Sequence, residues 1–419
     1  MSDIQLSVPS GISGMKIAAM INGIVGGIMA FNSGAPPIVV ALGIFGASMA
    51  LAAPLLSVFN LVICAFCVVA AQGLGNPSLL PVSLMLVGAG LSLVAVDGKE
   101  ITEAGRRPWL FGFSYGQAFA FLVMLELIVI MPSVLYPVFL MRILCAALFA
   151  CAFNLMIGYV GLLSFGHAAY FGMGSYVAAW TMKTWHLDAS IAIALGGLTG
   201  AAFGLVLGYL AIRRSGIYFA MITLALAQMV YFFCLEAPFT GGEDGIQQVP
   251  RGFLFGFIDL SNDMTMYWVV AGVFLSGFLM IHRIIHSPFG QVLKGIRENE
   301  PRATSLGYRT DDYKLIAFVL SCAITGVAGG TKSLVFGIAT LTDVHYGTSG
   351  EVVLTTLLGG LGTVFGPAMG ALVVTSMENY LAQFGAWVTV TQGVIFMVCV
   401  LAFRRGIVGE LAARLRSSK

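Results

Sequence analysis

Charge is what this chain has least of. Only 10% of its 419 residues are Asp, Glu, Lys or Arg, where an ordinary soluble domain carries about 25%. With 58% hydrophobic residues and a mean hydropathy of +0.94, that deficit excludes a soluble globular protein. The net charge of +2 says little about partners, and no nucleic acid is expected among them. A phosphate-cradling G-x-x-x-x-G-K-[ST] run is also missing. Gly98-Lys99 is followed by Glu100 and Thr331-Lys332 lacks the glycine, so the chain has no P-loop with which to hold ATP itself. The seven cysteines (Cys64, Cys67, Cys145, Cys151, Cys234, Cys322 and Cys399) all lie in or beside apolar segments. Cys64 and Cys67 have C-x-x-C spacing but no second ligand pair, so all seven read as small embedded hydrophobes rather than a metal site. His282 and His286 stand four apart without a Glu beside the first, which removes the metalloprotease reading. No metal, no cofactor of its own and no catalytic constellation are expected, so the chain does not read as an enzyme.

Apolar sequence fills the chain instead. Runs of about 18 or more apolar residues recur along almost all of it, the pattern of an all-α, polytopic helical membrane protein with about 10–12 transmembrane helices. Segments 15–31, 37–54, 55–71 and 79–96 make an N-terminal accessory transmembrane region, 1–108, closed by the polar stretch DGKEITEAGRRP. A core, 109–404, continues with spans at 109–131, 136–158, 160–180, 189–212, 216–236, 267–285, 315–336 and 388–403, and with a glycine-broken stretch at 352–377. A basic cytoplasmic tail, 405–419, follows. Lys and Arg near span ends mark the cytoplasmic side. They gather at Lys99, Arg106 and Arg107, at Arg213 and Arg214, in the interval 281–314, and in the tail. All four fall on one side only if 352–377 enters and leaves from the other side, as a re-entrant pair. The loop 237–266, with Arg251 nearly its only basic residue, then lies outside.

Two glycine-rich stretches carry candidate pathway residues. In NLMIGYVGLLSFGHAAYFGMGSYVAAW, 154–180, Gly158, Gly161, Gly166, Gly172 and Gly174 recur along helix faces, and His167 is the one histidine well inside an apolar run. Two readings stay open. One is close helix packing by small residues; the other adds an interruption near Ser164 and Gly166 that lines a substrate path. In LLGGLGTVFGPAMGA, 357–371, Gly359, Gly360, Gly362, Gly366 and Pro367 argue against an unbroken helix, since Gly costs about 1 and Pro about 3 kcal/mol in a helix interior. Two half-helices joined by a loop fit better, their ends offering dipoles to a substrate. Thr240, Gly241, Gly242, Asp244 and Gly245 say turn. Glu126 and Arg142 fall at similar depth on either side of a turn at 132–135. Either they pair or Arg142 snorkels to the interface. Lys332, Glu351 and Glu378 read as interfacial.

The interval 281–314, IHRIIHSPFGQVLKGIRENEPRATSLGYRTDDYK, is the one long mixed-charge stretch in the second half of the chain. Phe289, Val292, Leu293 and Ile296 recur at helical spacing, with Gln291, Lys294, Arg297, Glu298 and Asn299 on the other face. Pro301 ends that helix, Gly307 marks a second break, and Thr310 or Asp311 can cap the next span. An apolar stripe here lies against the bilayer surface or fills a groove in a soluble partner.

Four motifs in order, IRENE with its flanking glycines (290–308), GYVGLLSFGHAAYFGMGSY (158–176), TGGEDGI (240–246) and LGGLGTVFGP (358–367), resemble the ABC-importer permeases for branched-chain amino acids, LivM-type. The resemblance implies a subunit that takes leucine, isoleucine and valine across the bacterial inner (plasma) membrane. Its implied partners are a second, LivH-type permease, two ABC ATPase subunits that bind the ATP, a periplasmic or lipoprotein substrate-binding protein and the lipid bilayer. Carried over by position, Gly290, Arg297, Glu298, Glu300, Ala303 and Gly307 belong to an ATPase-coupling loop. Gly161, Ser164, His167, Gly172, Gly174, Gly359, Gly360, Gly362, Gly366 and Pro367 belong to the translocation pathway, and Thr240, Gly241, Gly242, Asp244 and Gly245 to an outer loop. Urea and short-amide permeases share the coupling loop and many of the glycines. An ion-coupled secondary transporter is the competing class, and it would need more ionisable residues deep in the membrane.

Overall fold

A computed structural model describes residues 115–381, apart from 134, 215 and 257, and six positions beyond them: 390, 393, 394, 396, 397 and 406. The accessory region 1–108, nearly all of the span 388–403 and the basic tail apart from Gly406 lie outside the described residues. The chain forms two compact units, Met1–Val134 and Leu135–Lys419. In the first, the described part is helix α1 (Tyr115–Ile130) and a short 3-10 turn, Met131–Ser133.

The second unit is helical. It comprises α2 (Pro137–Asn154), α3 (His167–Thr184), α4 (Ala189–Ala211), α5 (Ile217–Glu236), α6 (Asp263–His286), α7 (Pro288–Glu298), α8 (Glu300–Ser305), α9 (Thr310–Phe336), α10 (Tyr346–Gly359) and α11 (Gly366–Leu381). Its described strands are a two-residue pair, β1 (Phe253–Leu254) against β2 (Ile258–Asp259), antiparallel. In that hairpin the Ser261 amide and hydroxyl donate to Asp259 Oδ1 at 2.9 and 2.7 Å, which holds this exposed carboxyl below its usual range. Among the described residues, five helices are long and apolar enough to cross a membrane: Pro137–Val160, Ala189–Ala211, Ile217–Glu236, Asp263–His286 and Thr310–Phe336. The protein is a multi-pass helical membrane protein.

Local chemistry sets most of the helix starts. Pro137 opens α2 after an extended Tyr136, where its missing N–H costs nothing. Asn262 caps α6 by accepting from Met264 N at 3.0 Å. Ser287 caps α7 through Gly290 N at 3.3 Å, and Asn299 caps α8 through Arg302 N at 3.1 Å. At α9 the expected cap moves. The helix begins at Thr310 itself behind Arg309, which makes no side-chain cap, and Asp311 and Asp312 lie in the first turn, where the helix dipole favours them. α7 stops at Glu298, ahead of Pro301, which sits in the first turn of α8.

The core is a crossing of α3, α4 and α9 at their glycines. Along α4, Gly197 faces Val327, Gly200 faces Gly326, Gly204 faces Cys322 and Val319, and Gly208 faces Phe318 and Leu315. Later positions on α4 meet earlier ones on α9, so the two helices are antiparallel. Arg213 and Arg214, just after α4, therefore share an end of the bundle with α7 and α8, the end called basic below. At the other end the turn after α5 meets the chain after α9, with Ile246 bridging Ala339 and Lys183 donating to Gln247 O at 2.9 Å.

The α10–α11 hairpin is the re-entrant pair that its glycines predict. Its bases lie toward the end opposite the basic loops, where Glu378 meets Arg142. Its tip, 360–365, reaches Asn154 and Gly158 at the far end of α2. The other glycine-rich stretch is interrupted at 161–166, where a break near Ser164 and Gly166 is expected. What differs is the boundary expected between 136–158 and 160–180. α2 runs on through a π-helical turn, Leu155–Val160, to Gly161, and the non-helical residues 161–166 are the whole link to α3.

Candidate functional site

Non-helical backbone inside a membrane protein survives only where side chains or water satisfy it. The 161–166 link is satisfied by side chains from several elements. Ser164 accepts from Gly166 N at 3.2 Å, and Thr223 on α5 accepts from Phe165 N at 3.3 Å. Ser349 on α10 accepts from Ala168 N at 2.9 Å, covering an amide in the first turn of α3 that has no helical partner. Gly161 ends the π-turn at φ 84°, a left-handed conformation that a β-carbon would strain.

Just beyond the link, His167 sits in a closed cage. Its Nε2 lies 3.0 Å from Ser321 Oγ, and that hydroxyl donates to Ala152 O at 2.6 Å. A hydroxyl has one hydrogen to give, so the histidine carries its proton on Nε2 and donates to Ser321. Phe153, Tyr170 and Phe318 approach the ring edge-on at 5.0 to 5.8 Å. Gly172 and Gly174 lie further along α3 against Val344 and Gly326. These three residues do not join Gly161.

Gly161 instead meets the hairpin tip and α7. A β-carbon at Gly161 would lie 3.0 Å from Arg297 Cγ, and one at Gly362 would lie 3.2 Å from Arg297 Nη1. The Arg297 guanidinium donates to the carbonyl oxygen of Gly158. Asn154, 2% exposed, donates from Nδ2 to Thr363 O at 2.9 Å and accepts at Oδ1 from Gly362 N at 3.1 Å. Gly359, Gly366 and Pro367 close the hairpin from within, since a β-carbon on Gly359 would lie 3.0 Å from Pro367 N. Gly360 lies against Gly406. Three segments far apart in sequence thus converge at one point on the basic end.

The loop holding Arg297 is anchored on both sides. A β-carbon at Gly290 would lie 2.5 Å from Ile284 O, so α7 leaves α6 without room for a side chain. Leu293 and Ile296 are buried, with Leu293 packed in a cluster containing Met156, Val160, Leu162 and Phe318. Phe289 stacks on Tyr313 at 5.6 Å. Most of the α7 stripe, Phe289, Leu293 and Ile296, therefore packs on this chain's own residues, while Val292 lines the outward face. On α8, Glu300 accepts from Lys314 Nζ and from Thr310 Oγ1, and Ala303 is buried. Gly307, at φ 90°, turns the chain into α9. What remains outward is an open groove of about 380 Å³ between α7 and α8, lined by Gln291, Val292, Glu298, Asn299, Arg302 and Tyr308 among others. Glu298 faces it and Arg297 does not.

At the opposite end, Thr240 Oγ1 lies 2.6 Å from the carbonyls of Cys234 and Ala237, while Gly241, Gly242 and Gly245 turn the chain at positive φ. Asp244 is exposed. Lys332 is not simply interfacial, for it holds Asp343 at 2.7 and 2.9 Å. Arg142 takes Glu378 at 3.1 Å, a partner 236 residues away. Exchanging these two charges is expected to preserve more assembled protein, by size-exclusion yield in detergent, than either Arg142→Glu or Glu378→Arg alone. Equal yields from all three variants would dissolve the pair.

Asn154, Ser321, Thr223 and Ser349 carry no motif in the sequence, Thr363 is only one letter of the LGGLGTVFGP run, and Lys314 counts there only among the basic residues that mark the cytoplasmic side. Of the first four, Asn154 alone leaves a trace, as a lone carboxamide in an apolar run.

The profile of the family described as branched-chain amino acid transport system / permease component matches residues 137–403. The high-affinity branched-chain amino acid transport system permease protein LivM of Escherichia coli K12 is 25% identical over 286 residues, 63% of this chain and 67% of the relative. LivH of Salmonella typhimurium is 22% identical, over 63% of this chain and 91% of its own length. The ribose import permease protein RbsC of Escherichia coli K12 is 26% identical over 51% of this chain and 69% of its own. No solved structure matches.

Proposed function

The chain belongs to the family of branched-chain amino acid transport permease components, and from that premise we propose that it is one of two membrane subunits of an ATP-driven importer for leucine, isoleucine and valine in the bacterial inner membrane. A LivH-type permease completes the path. Two ABC ATPase subunits bind the ATP, which this chain needs no cofactor to match, and a periplasmic or lipoprotein binding protein delivers substrate at the end carrying the Thr240–Gly245 turn. The observation that carries the reading is the α7–α8 element. It is polar outside and anchored inside, and it presents its groove at the basic end, which the positive-inside rule puts in the cytoplasm.

In proteoliposomes holding this chain with its sister permease, ATPases and binding protein, leucine uptake is expected to require ATP on the ATPase side and to survive collapse of ion gradients. Isoleucine and valine should compete for that uptake and urea should not. Uptake driven by a proton or sodium gradient without ATP would overturn the proposal. Within the groove, the double variant Glu298→Lys/Arg302→Glu is expected to weaken ATPase co-purification by about tenfold, which is about 1.4 kcal/mol, while pairing with the sister permease persists. Undiminished co-purification would place the docking surface elsewhere.

A further inference from the structure

We propose that Asn154 and Arg297 are positioning residues that tie the α7–α8 element to the tip of the re-entrant hairpin, so that movement of the docked element displaces the inner end of the pathway. The inference rests on the importer reading above and assigns Arg297 to transmission rather than to docking.

The tip is a short length of free backbone between α10 and α11, and its amides need partners. Asn154 supplies both halves of one side-chain amide to consecutive residues, Gly362 and Thr363. This pins the tip to the last turn of α2 before that helix widens into its π-turn. One turn on, Gly158 lets the tip lie directly on the helix, since a β-carbon there would stand 2.8 Å from Gly362 N. The Gly158 carbonyl takes its hydrogen bond from Arg297. The same guanidinium flanks Gly362, and its aliphatic stem covers Gly161. One side chain of the docking element therefore touches the π-turn, the start of the 161–166 link and the hairpin tip.

No other polar side chain of α7 spans all three: Lys294 meets only the π-turn, its ammonium 5.8 Å from the Tyr159 ring centroid. Glu298 faces the groove, and Leu293 and Ile296 pack into the core by apolar contact, which is non-directional. A further polar tie of the element runs from Glu300 on α8 to Lys314 and Thr310 on α9. Displacement of α7 thus reaches the tip through Arg297 and reaches α9 through Glu300.

The test uses the complete importer in proteoliposomes and measures substrate uptake and ATP hydrolysis in the same preparation. Arg297→Ala and Asn154→Ala are each expected to keep the ATPases bound and hydrolysing within about twofold of wild type, while uptake falls at least about tenfold. ATP consumed per substrate moved then rises by the same factor. Arg297→Lys should recover part of the uptake, because an ammonium can still reach the Gly158 carbonyl. The Arg297→Ala/Asn154→Ala double variant should resemble the worse single one, as residues acting through one tip do. If Asn154→Ala fails to assemble, Arg297→Ala and Arg297→Lys decide the matter alone. Uptake and hydrolysis falling in proportion, or uptake unchanged, would overturn the proposal. A wild-type complex without ATP-dependent uptake would instead bring down the importer reading on which it stands.

Discussion

Gly329→Ala is expected to lower the melting temperature in detergent by about 5 °C, the shift for a loss of about 3 kcal/mol in a unit as long as Leu135–Lys419. A β-carbon at Gly329 would run into the carbonyl oxygen of Phe171. The obstacle is α3 backbone, so no rotamer change relieves it. The same crossing places Gly174 against Gly326, and Gly196 within 3.0 and 3.1 Å of the Gly174 and Gly326 carbonyls once β-carbons are added. Apolar side chains gain little from one another in lipid, so helices associate by close van der Waals approach, and small residues make that approach possible. Gly272→Ala supplies the contrast. Nothing lies within 4 Å of a β-carbon there, and alanine is the better helix former, so its melting temperature should match wild type or exceed it. If Gly329→Ala and Gly272→Ala melt together, the three-helix crossing is looser than its geometry.

The second large effect concerns the pair beneath α8. Lys314 is 4% exposed at its side chain and Glu300 38%. Glu300→Ala leaves the ammonium buried without its anion, a loss of about 3–5 kcal/mol when both partners are fully buried. With Glu300 partly solvated, about 2 kcal/mol is the reasonable scale here. Removing both charges in Glu300→Ala/Lys314→Met should restore stability toward wild type, because methionine fills the space without needing a counterion. The thermal melts decide it. A double variant less stable than Glu300→Ala would mean that Lys314 is held by something other than this carboxylate.

Composition, local breakers and basic loops make much of the fold legible in the sequence. Gly359 to Pro367 announced the hairpin, and Arg213 with the 281–314 interval announced a shared end. Each of these signals is local to a few residues. The periodicity of α7 located its apolar stripe but not what the stripe meets, because a helical wheel cannot tell a partner's groove from the chain's own core. For the same reason Arg297 and Glu298, neighbours in one motif, could not be assigned to opposite directions. Partners distant in sequence were the least legible. Nothing near Arg142 points to Glu378, nor anything near Asn154 to Thr363. The π-turn is similar: Gly158 weakens a regular helix there, but nothing in Leu155–Val160 says that its carbonyl accepts from Arg297, 139 residues away.

The shortness of α10 carries a consequence for how the protein is made. It has 14 residues, about 21 Å at 1.5 Å per residue, while the hydrocarbon layer is about 30 Å thick. It cannot be handed to the bilayer as an independent crossing during synthesis. The hairpin leaves the ribosome after the helices that furnish its seat, when the Asn154 carboxamide and the Ala168 amide already wait without partners. Seating the hairpin is therefore a late step of biogenesis, and it fills both vacancies at once. A nascent chain stalled before Tyr346 would hold a glycine-packed bundle with those polar groups open. That is the intermediate a membrane chaperone or protease would meet.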